Sequence, residues 1–182
     1  MKTATENLEN DHIYIIQLTE IMDRMAETDN PSAEDTAVVI DIIRNYADGI
    51  HHAKEENLLF PKLGEKGMSP HQGPVAVMLH EHVAGRNYVK GMTESLELYL
   101  KGDTSAAAVL RQNMTGYASL LQNHISKENN ILFRMADNVL SPDEQKNLLG
   151  LFQEEENNPK DGRKPEFYIS AISRLAGKYL KK

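Results

Sequence analysis

His51-His52-Ala53-Lys54-Glu55-Glu56-Asn57-Leu58-Leu59-Phe60-Pro61 places histidines and carboxylates four apart in a stretch that otherwise reads as helix. Residues i and i+4 of a helix share a face one turn apart, so a His and a Glu in that spacing can reach one metal ion. Residues 124–133 repeat the stretch as His124-Ile125-Ser126-Lys127-Glu128-Asn129-Asn130-Ile131-Leu132-Phe133. The two align without gaps as H-x-x-K-E-x-x-[LI]-L-F, pairing His51 with His124 and Glu55 with Glu128. A second match, Asp11-His12 with Glu81-His82, recurs at a similar interval of about 70 residues. That interval is too long for a solenoid unit and describes a repeated helical hairpin. Two hairpins related by a pseudo-twofold would bring all four segments to a common centre.

Outward from these segments, the chain reads as all-α. Leu8, His12, Ile15, Thr19, Met22 and Ala26 form one seam of a helix over 5–27. Ser32 with Asp35 marks the start of a second helix, over about 33–63, in which Pro61 introduces strain and which Gly64, Gly67 and Pro70 end. Gly73-Pro74 opens a third, to about Lys101, and a fourth runs from about 104 to 138. Ser141-Pro142-Asp143-Glu144 combines an N-cap, a proline at the first helical position and a capping glutamate. It opens a fifth helix, and residues 166–180 form a sixth. The expected architecture is an up-down-up-down four-helix bundle over about 5–138. Two short helices follow in a C-terminal extension of the same domain, over about 141–182, whose Ala171, Ile172, Leu175 and Tyr179 cover the bundle.

The 182 residues suffice for one compact domain. A net charge of −7 argues against a nucleic-acid partner, which calls for a basic face. With no Cys, iron–sulfur clusters, disulfides and thiol nucleophiles are excluded. The first twenty residues have no apolar signal region, and no run is long enough to cross a bilayer, so a soluble cytoplasmic protein is expected.

Among the seven histidines, helical faces select the candidates. Steps of four, eight and eleven back from His51 meet Ala47, Ile43 and Ile40, and seven forward meets Leu58; His51 and Glu55 therefore face inward. Steps of four, seven and eleven back from His52 meet Asp48, Asn45 and Asp41, which places His52 at the edge or outside. His82 shares a seam with Val75, Met78, Val89, Met92 and Leu96, whereas His80 lies on a weaker face and His71 in a loop. His124 aligns with Leu110, Tyr117, Leu120, Ile131 and Met135, and His12 lies between Leu8 and Ile15. The candidate metal ligands are thus His12, His51, Glu55, His82, His124 and Glu128. Burying two uncompensated carboxylates costs several kcal/mol each, a penalty that a metal pair removes. Imidazole with carboxylate suits iron, manganese or zinc. With Glu55 and Glu128 bridging, the histidines terminal and a shared oxo or hydroxo bridge, an octahedral ion keeps about one position open to a small molecule. Outside the ligands, Asp11 and Glu81 could brace the histidines or lie on the surface. Tyr117 is expected to pack, and Arg86 to pair with Glu55 or an outer acid.

These residues resemble the hemerythrin-like, HHE cation-binding proteins over roughly residues 5–138. The match is carried by Asp11-His12, His51 through Glu56 with Leu59-Phe60-Pro61, Glu81-His82 with Gly85-Arg86, and His124 through Phe133. The resemblance implies a four-helix bundle enclosing a non-haem di-iron site that binds or reacts with oxygen, nitric oxide or peroxide. The oxygen carriers of that family have two histidines a turn apart on the third helix and an Asp on the fourth. Here Met78 precedes His82 by four and Glu128 stands in the acidic position, a pattern closer to bacterial proteins implicated in repairing iron centres after nitrosative or oxidative damage. Iron storage or sensing, and a di-iron enzyme of the nitric oxide reductase or peroxidase kind, are the alternatives the resemblance leaves open.

Overall fold

The computed structural model describes residues 3–180, and among them there is helix and no strand. The helical stretches are α1 (Ala4–Ala26), α2 (33–65), α3 (Gly73–Leu100), α4 (106–139), α5 (Pro142–Asn157) and α6 (Pro165–Tyr179). Their starts follow from capping. Thr3 and Glu6 form a capping box on α1, Ser32 accepts from the Asp35 amide at 3.3 Å, and Ser141 and Glu144 form a second box on α5. Gly67 and Gly102 take positive φ angles of 91° and 95° just beyond the ends of α2 and α3, where a side chain would be strained.

Two of the helices are irregular at the motif segments. Within α2, Ile43–His52 and Glu55–Leu59 are π-helical, and within α4, Glu128–Leu132 is π-helical. The Phe60 amide donates to the Glu55 carbonyl, and the Phe133 amide donates to the Glu128 carbonyl. Both spans are i→i+5, the wide turn that appears in short pieces at functional sites. Pro61 is not the cause, because Arg134 holds the matching position in α4 and the same turn forms there. With the wide turn before it, Pro61 enters the first turn of a new α-helical stretch, where its missing N–H leaves no bond unmade, and α2 continues to Glu65. Earlier in α2 the wide turn is tight against its own backbone: a Cβ on Gly49 would lie 3.0 Å from the Arg44 carbonyl oxygen.

The apolar interior falls into two clusters. One joins Ile15, Ile43, Tyr46, Ile50, Val89, Met92, Tyr117 and Ile125 with Tyr168, Ile172 and Leu175 of α6. The other joins Leu8, Leu59, Phe60, Met78, Leu132 and Phe133 with Leu148 and Phe152 of α5. On α1, α2 and α3 a His falls in sequence between the two: Leu8–His12–Ile15, Ile50–His51–Leu59 and Met78–His82–Val89. The polar layer is therefore sandwiched between two cores, with α6 packed on one and α5 on the other.

A candidate metal centre between two apolar cores

The layer contains His12, His51, His52, Glu55, His82, His124 and Glu128, all 5 % exposed or less. Two groups each place one atom per residue within 4.8 Å of the others: His12, His51, Glu55 and Glu128, and His52, Glu55, His82 and His124. Glu55 belongs to both. The Nε2 atoms of His12 and His51 lie 3.0 Å apart, and those of His82 and His124 lie 3.1 Å apart. Nitrogens bound about 2.1 Å from one ion at right angles would lie about 3 Å apart, so these pairs are spaced as neighbouring ligands of one ion.

Every ring in the layer is held from outside by its Nδ1. His51 binds Asp11 at 3.1 Å, His52 binds Asp48 at 3.2 Å, and His82 binds Glu56 at 2.7 Å. His124 binds Glu81 at 3.0 Å, and His12 binds the Asn129 side-chain oxygen at 2.6 Å. A metal-bound imidazole donates its other N–H in this way, which fixes both tautomer and orientation. All five Nε2 atoms are thereby left for the interior.

The two motif copies interlock by one rule. Asp11, beside His12 on α1, takes both His51 and the ammonium of Lys54 from α2. Glu81, beside His82 on α3, takes both His124 and Lys127 from α4. The residue after each motif glutamate reaches the opposite dipeptide: Glu56 holds His82, and Asn129 holds His12. The closing phenylalanines follow suit, with Phe60 stacked on His82 and Phe133 on His12. Arg86 bridges Asp48 and Glu56, the two acids that hold His52 and His82.

Part of the layer compensates itself, since burial works to raise the Glu128 carboxyl but His124 and His12 outweigh it and hold it well down; the rest lacks partners. All four oxygens of Glu55 and Glu128, and the Nε2 of His52, are buried and make no well-directed hydrogen bond among the described residues, although Glu128 lies 3.2 Å from the His124 Nε2 and 3.3 Å from that of His12. Such orphaned buried groups call for a partner that the side chains do not supply. Burial and the facing Glu128 carboxylate push the Glu55 carboxyl well up. Burial holds His51 down at about 4, burial and neighbouring His82 hold His52 well down, and burial lowers His82. Neutral imidazole is the form that binds metal. Burial also works to lower His124, but Glu128 outweighs it and holds His124 up at about 9. The donor set therefore fits a pair of cations suited to nitrogen and oxygen ligands, such as iron, manganese or zinc.

The expected faces are corrected at several positions. His52 is not at the edge: it is 5 % exposed, with its ring 3.9 Å from that of His82. The wide turns of Ile43–His52 place successive histidines on the same interior, which a strict i+4 face does not allow. The same slippage moves Leu59 into the core instead of Leu58. It also leaves Ile131 and Met135 exposed while Leu132 and Ala136 are buried. His71 and His80 are exposed. Asp11 and Glu81 brace ligand candidates rather than lying free, Arg86 meets outer acids rather than Glu55, and Tyr117 is buried in packing. Lys54, Glu56, Asp48 and Asn129 were not singled out from sequence. The repeated Lys of H-x-x-K-E, and the residue after each Glu, were the available signals.

The family model described as the hemerythrin HHE cation binding domain matches residues 3–136. An uncharacterized protein of Mycobacterium tuberculosis is 24 % identical over 159 residues, covering 85 % of this chain and 62 % of that protein. The iron-sulfur cluster repair protein YtfE of Pectobacterium atrosepticum is 35 % identical over 89 residues, covering 47 % of this chain and 40 % of that protein. Its counterpart in Edwardsiella ictaluri is 33 % identical over 103 residues, covering 53 % and 44 %. The chain thus spans less than two thirds of the length of these relatives. No solved structure matches the chain.

Proposed function

The chain belongs to the hemerythrin HHE cation-binding family, and from that premise we propose that it holds two iron ions and uses them to bind or react with oxygen, nitric oxide or peroxide. His12 and His51 would serve one ion, and His52, His82 and His124 the other, with Glu55 and Glu128 shared between them. His52 joins the six ligand candidates chosen from the sequence. The proposed frame is one hemerythrin-like domain, an up-down-up-down bundle over about 5–138 with the extension 141–182 packed on it.

The observation that carries the reading is the pair of fully buried carboxylates, without a well-directed hydrogen bond, facing five imidazoles whose outer nitrogens are already engaged. Two ions bound there would supply redox-active, Lewis-acidic centres. The chain's own part is positional. Asp11, Asp48, Glu56, Glu81 and Asn129 fix the rings, Phe60 and Phe133 cover two of them, and the flanking apolar clusters keep bulk water out.

Metal analysis of protein grown with iron should give about two irons per chain, and a Glu55→Ala/Glu128→Ala variant should hold neither. Retention of both ions by that variant would sink the shared-ligand assignment. Mixing the reduced protein with each small molecule while recording its absorption separates reversible binding from turnover.

A second reading, a part in iron-centre repair, draws support from relatives whose names say that they repair iron–sulfur clusters. With no Cys in the chain, any iron passed on would leave from nitrogen and oxygen ligands. Failure of the iron-loaded protein to restore an apo iron–sulfur protein supplied with sulfide would count against this reading.

A further inference from the structure

A cavity of about 180 Å³ opens beside the centre and is lined at its inner end by His52, His82 and His124. Its walls are Ile43, Val89, Tyr117, Leu120 and Leu121, and Gly85 keeps the α3 side low. A Cβ on Gly85 would already touch the Tyr117 ring at 3.6 Å. This volume far exceeds a diatomic molecule: a dry apolar cavity of about 150 Å³ takes up benzene. The His52 Nε2, buried and without a partner, belongs to this same lining.

Asp48 and Glu81 also line the cavity, but each is already paired with a histidine and a cation, which leaves an excess of positive charge at the outer end. Arg44 of α2 and Lys90 of α3 both line the cavity and both are exposed. Arg44 donates to the Thr93 hydroxyl at 2.9 Å and meets no carboxylate within 4 Å among the described residues. Lys90 has only Glu94 at 3.8 Å, on an exposed i,i+4 pair of little consequence. Arg86, by contrast, is neutralised by Asp48 and Glu56. From His82 to Lys90 is eight residues of regular helix, about 12 Å at 1.5 Å per residue.

We propose that this cavity is a binding site for a small amphiphilic carboxylate, with an apolar body of about six to eight carbons lying against Ile43, Val89 and Leu120 and its carboxylate held by Arg44 and Lys90. The proposal goes beyond the reading above: it places beside the centre a second, larger guest with a body, a charge and a direction. The apolar end points toward His52, His82 and His124, and the charged end faces solvent.

The test is calorimetric titration with octanoate, octanol and octylammonium, with iron content assayed on the same samples. Octanoate should bind at least tenfold more tightly than octanol, and octylammonium should not bind. Arg44→Gln/Lys90→Gln should reduce octanoate to the level of octanol, and Leu120→Trp, at a half-buried position, should abolish binding while circular dichroism shows the fold retained. Octanoate binding that ignores the two cations, as it would if its carboxylate sat on the metal, overturns the proposal, as does binding that survives Leu120→Trp. Two irons per chain with no octanoate binding overturns the cavity site alone and leaves the metal reading standing.

Discussion

Residues 51–60 and 124–133 carry one pattern and hold their surroundings in one way, yet three contrasts in and beside them divide the labour of the proposed centre. His52 has Ile125 as its counterpart, so the first copy offers the interior one more imidazole. Lys54 is fully buried, with its ammonium shared by Asn7, Asp11 and Glu156 at 2.6–2.8 Å, whereas Lys127 is 36 % exposed and pairs with Glu81. Helix α5 also grips the first copy's far end, where Glu144 meets Lys62 and Lys66. The shared residues build the cage. The burial of Lys54, the acid that meets Lys62 and Lys66, and the extra imidazole of His52 decide which half is anchored to the C-terminal extension and which set of histidines opens onto the cavity.

This difference should register first in stability. Lys54→Ala empties a fully buried position and leaves the part-buried Asp11 and Glu156 without their shared ammonium, so it should cost about 3 kcal/mol in urea unfolding of the metal-free protein. Lys127→Ala removes a half-exposed pair and should cost about 1 kcal/mol or less. Equal losses would show that burial of Lys54 does not distinguish the halves.

Metal affinity should respond next. His52→Ala should weaken one of the two ions by more than the 10–100-fold that losing an outer partner of a ligand typically costs, and leave the other in place. Glu81→Gln, which alters the hold on the His124 ring and the pair with Lys127 but removes no proposed ligand, should fall within about that 10–100-fold range. Competition with a chelator measures both, and an unaltered affinity in His52→Ala would return that residue to a packing role.

The smallest effect should come at the far end of the clamp. The Lys66 and Lys62 ammonium groups and the Ser141 amide hold the Glu144 carboxyl down at about 2. A depressed folded pKa contributes stability above the unfolded value near 4.5 and loses it as pH falls toward 2. Glu144→Gln should therefore unfold with a shallower acid limb between about pH 5 and 2, with little change at pH 7. An identical pH profile in the variant would mean that this exposed cluster is screened by solvent.

Most of the fold was readable because helix punctuation is local. Ser32, Gly67, Gly102 and the Ser141-Pro142 start lie where capping chemistry puts them, and the helix limits agree within a few residues. The burial of His12, His51, Glu55, His82, His124 and Glu128 in one layer was readable because they lie on apolar seams. That of His52 was not, because face counting assumes one period and the π-helical turns of α2 change it. The exchange of Leu58 for Leu59 and of Ile131 for Leu132 has the same origin: a wide turn beginning at each motif glutamate advances the seam by one residue. Lys54 escaped because its burial depends on Glu156, about a hundred residues away, and no local pattern announces such a partner.

The central claim is a two-iron centre whose halves are unequal, with His12 and His51 on one side and His52, His82 and His124 on the other. A Mössbauer spectrum of the protein loaded with iron-57 tests it directly. The expected result is about two irons per chain in two distinct environments of equal area, which draw closer together in His52→Ala. A single environment, or one iron per chain, would contradict it.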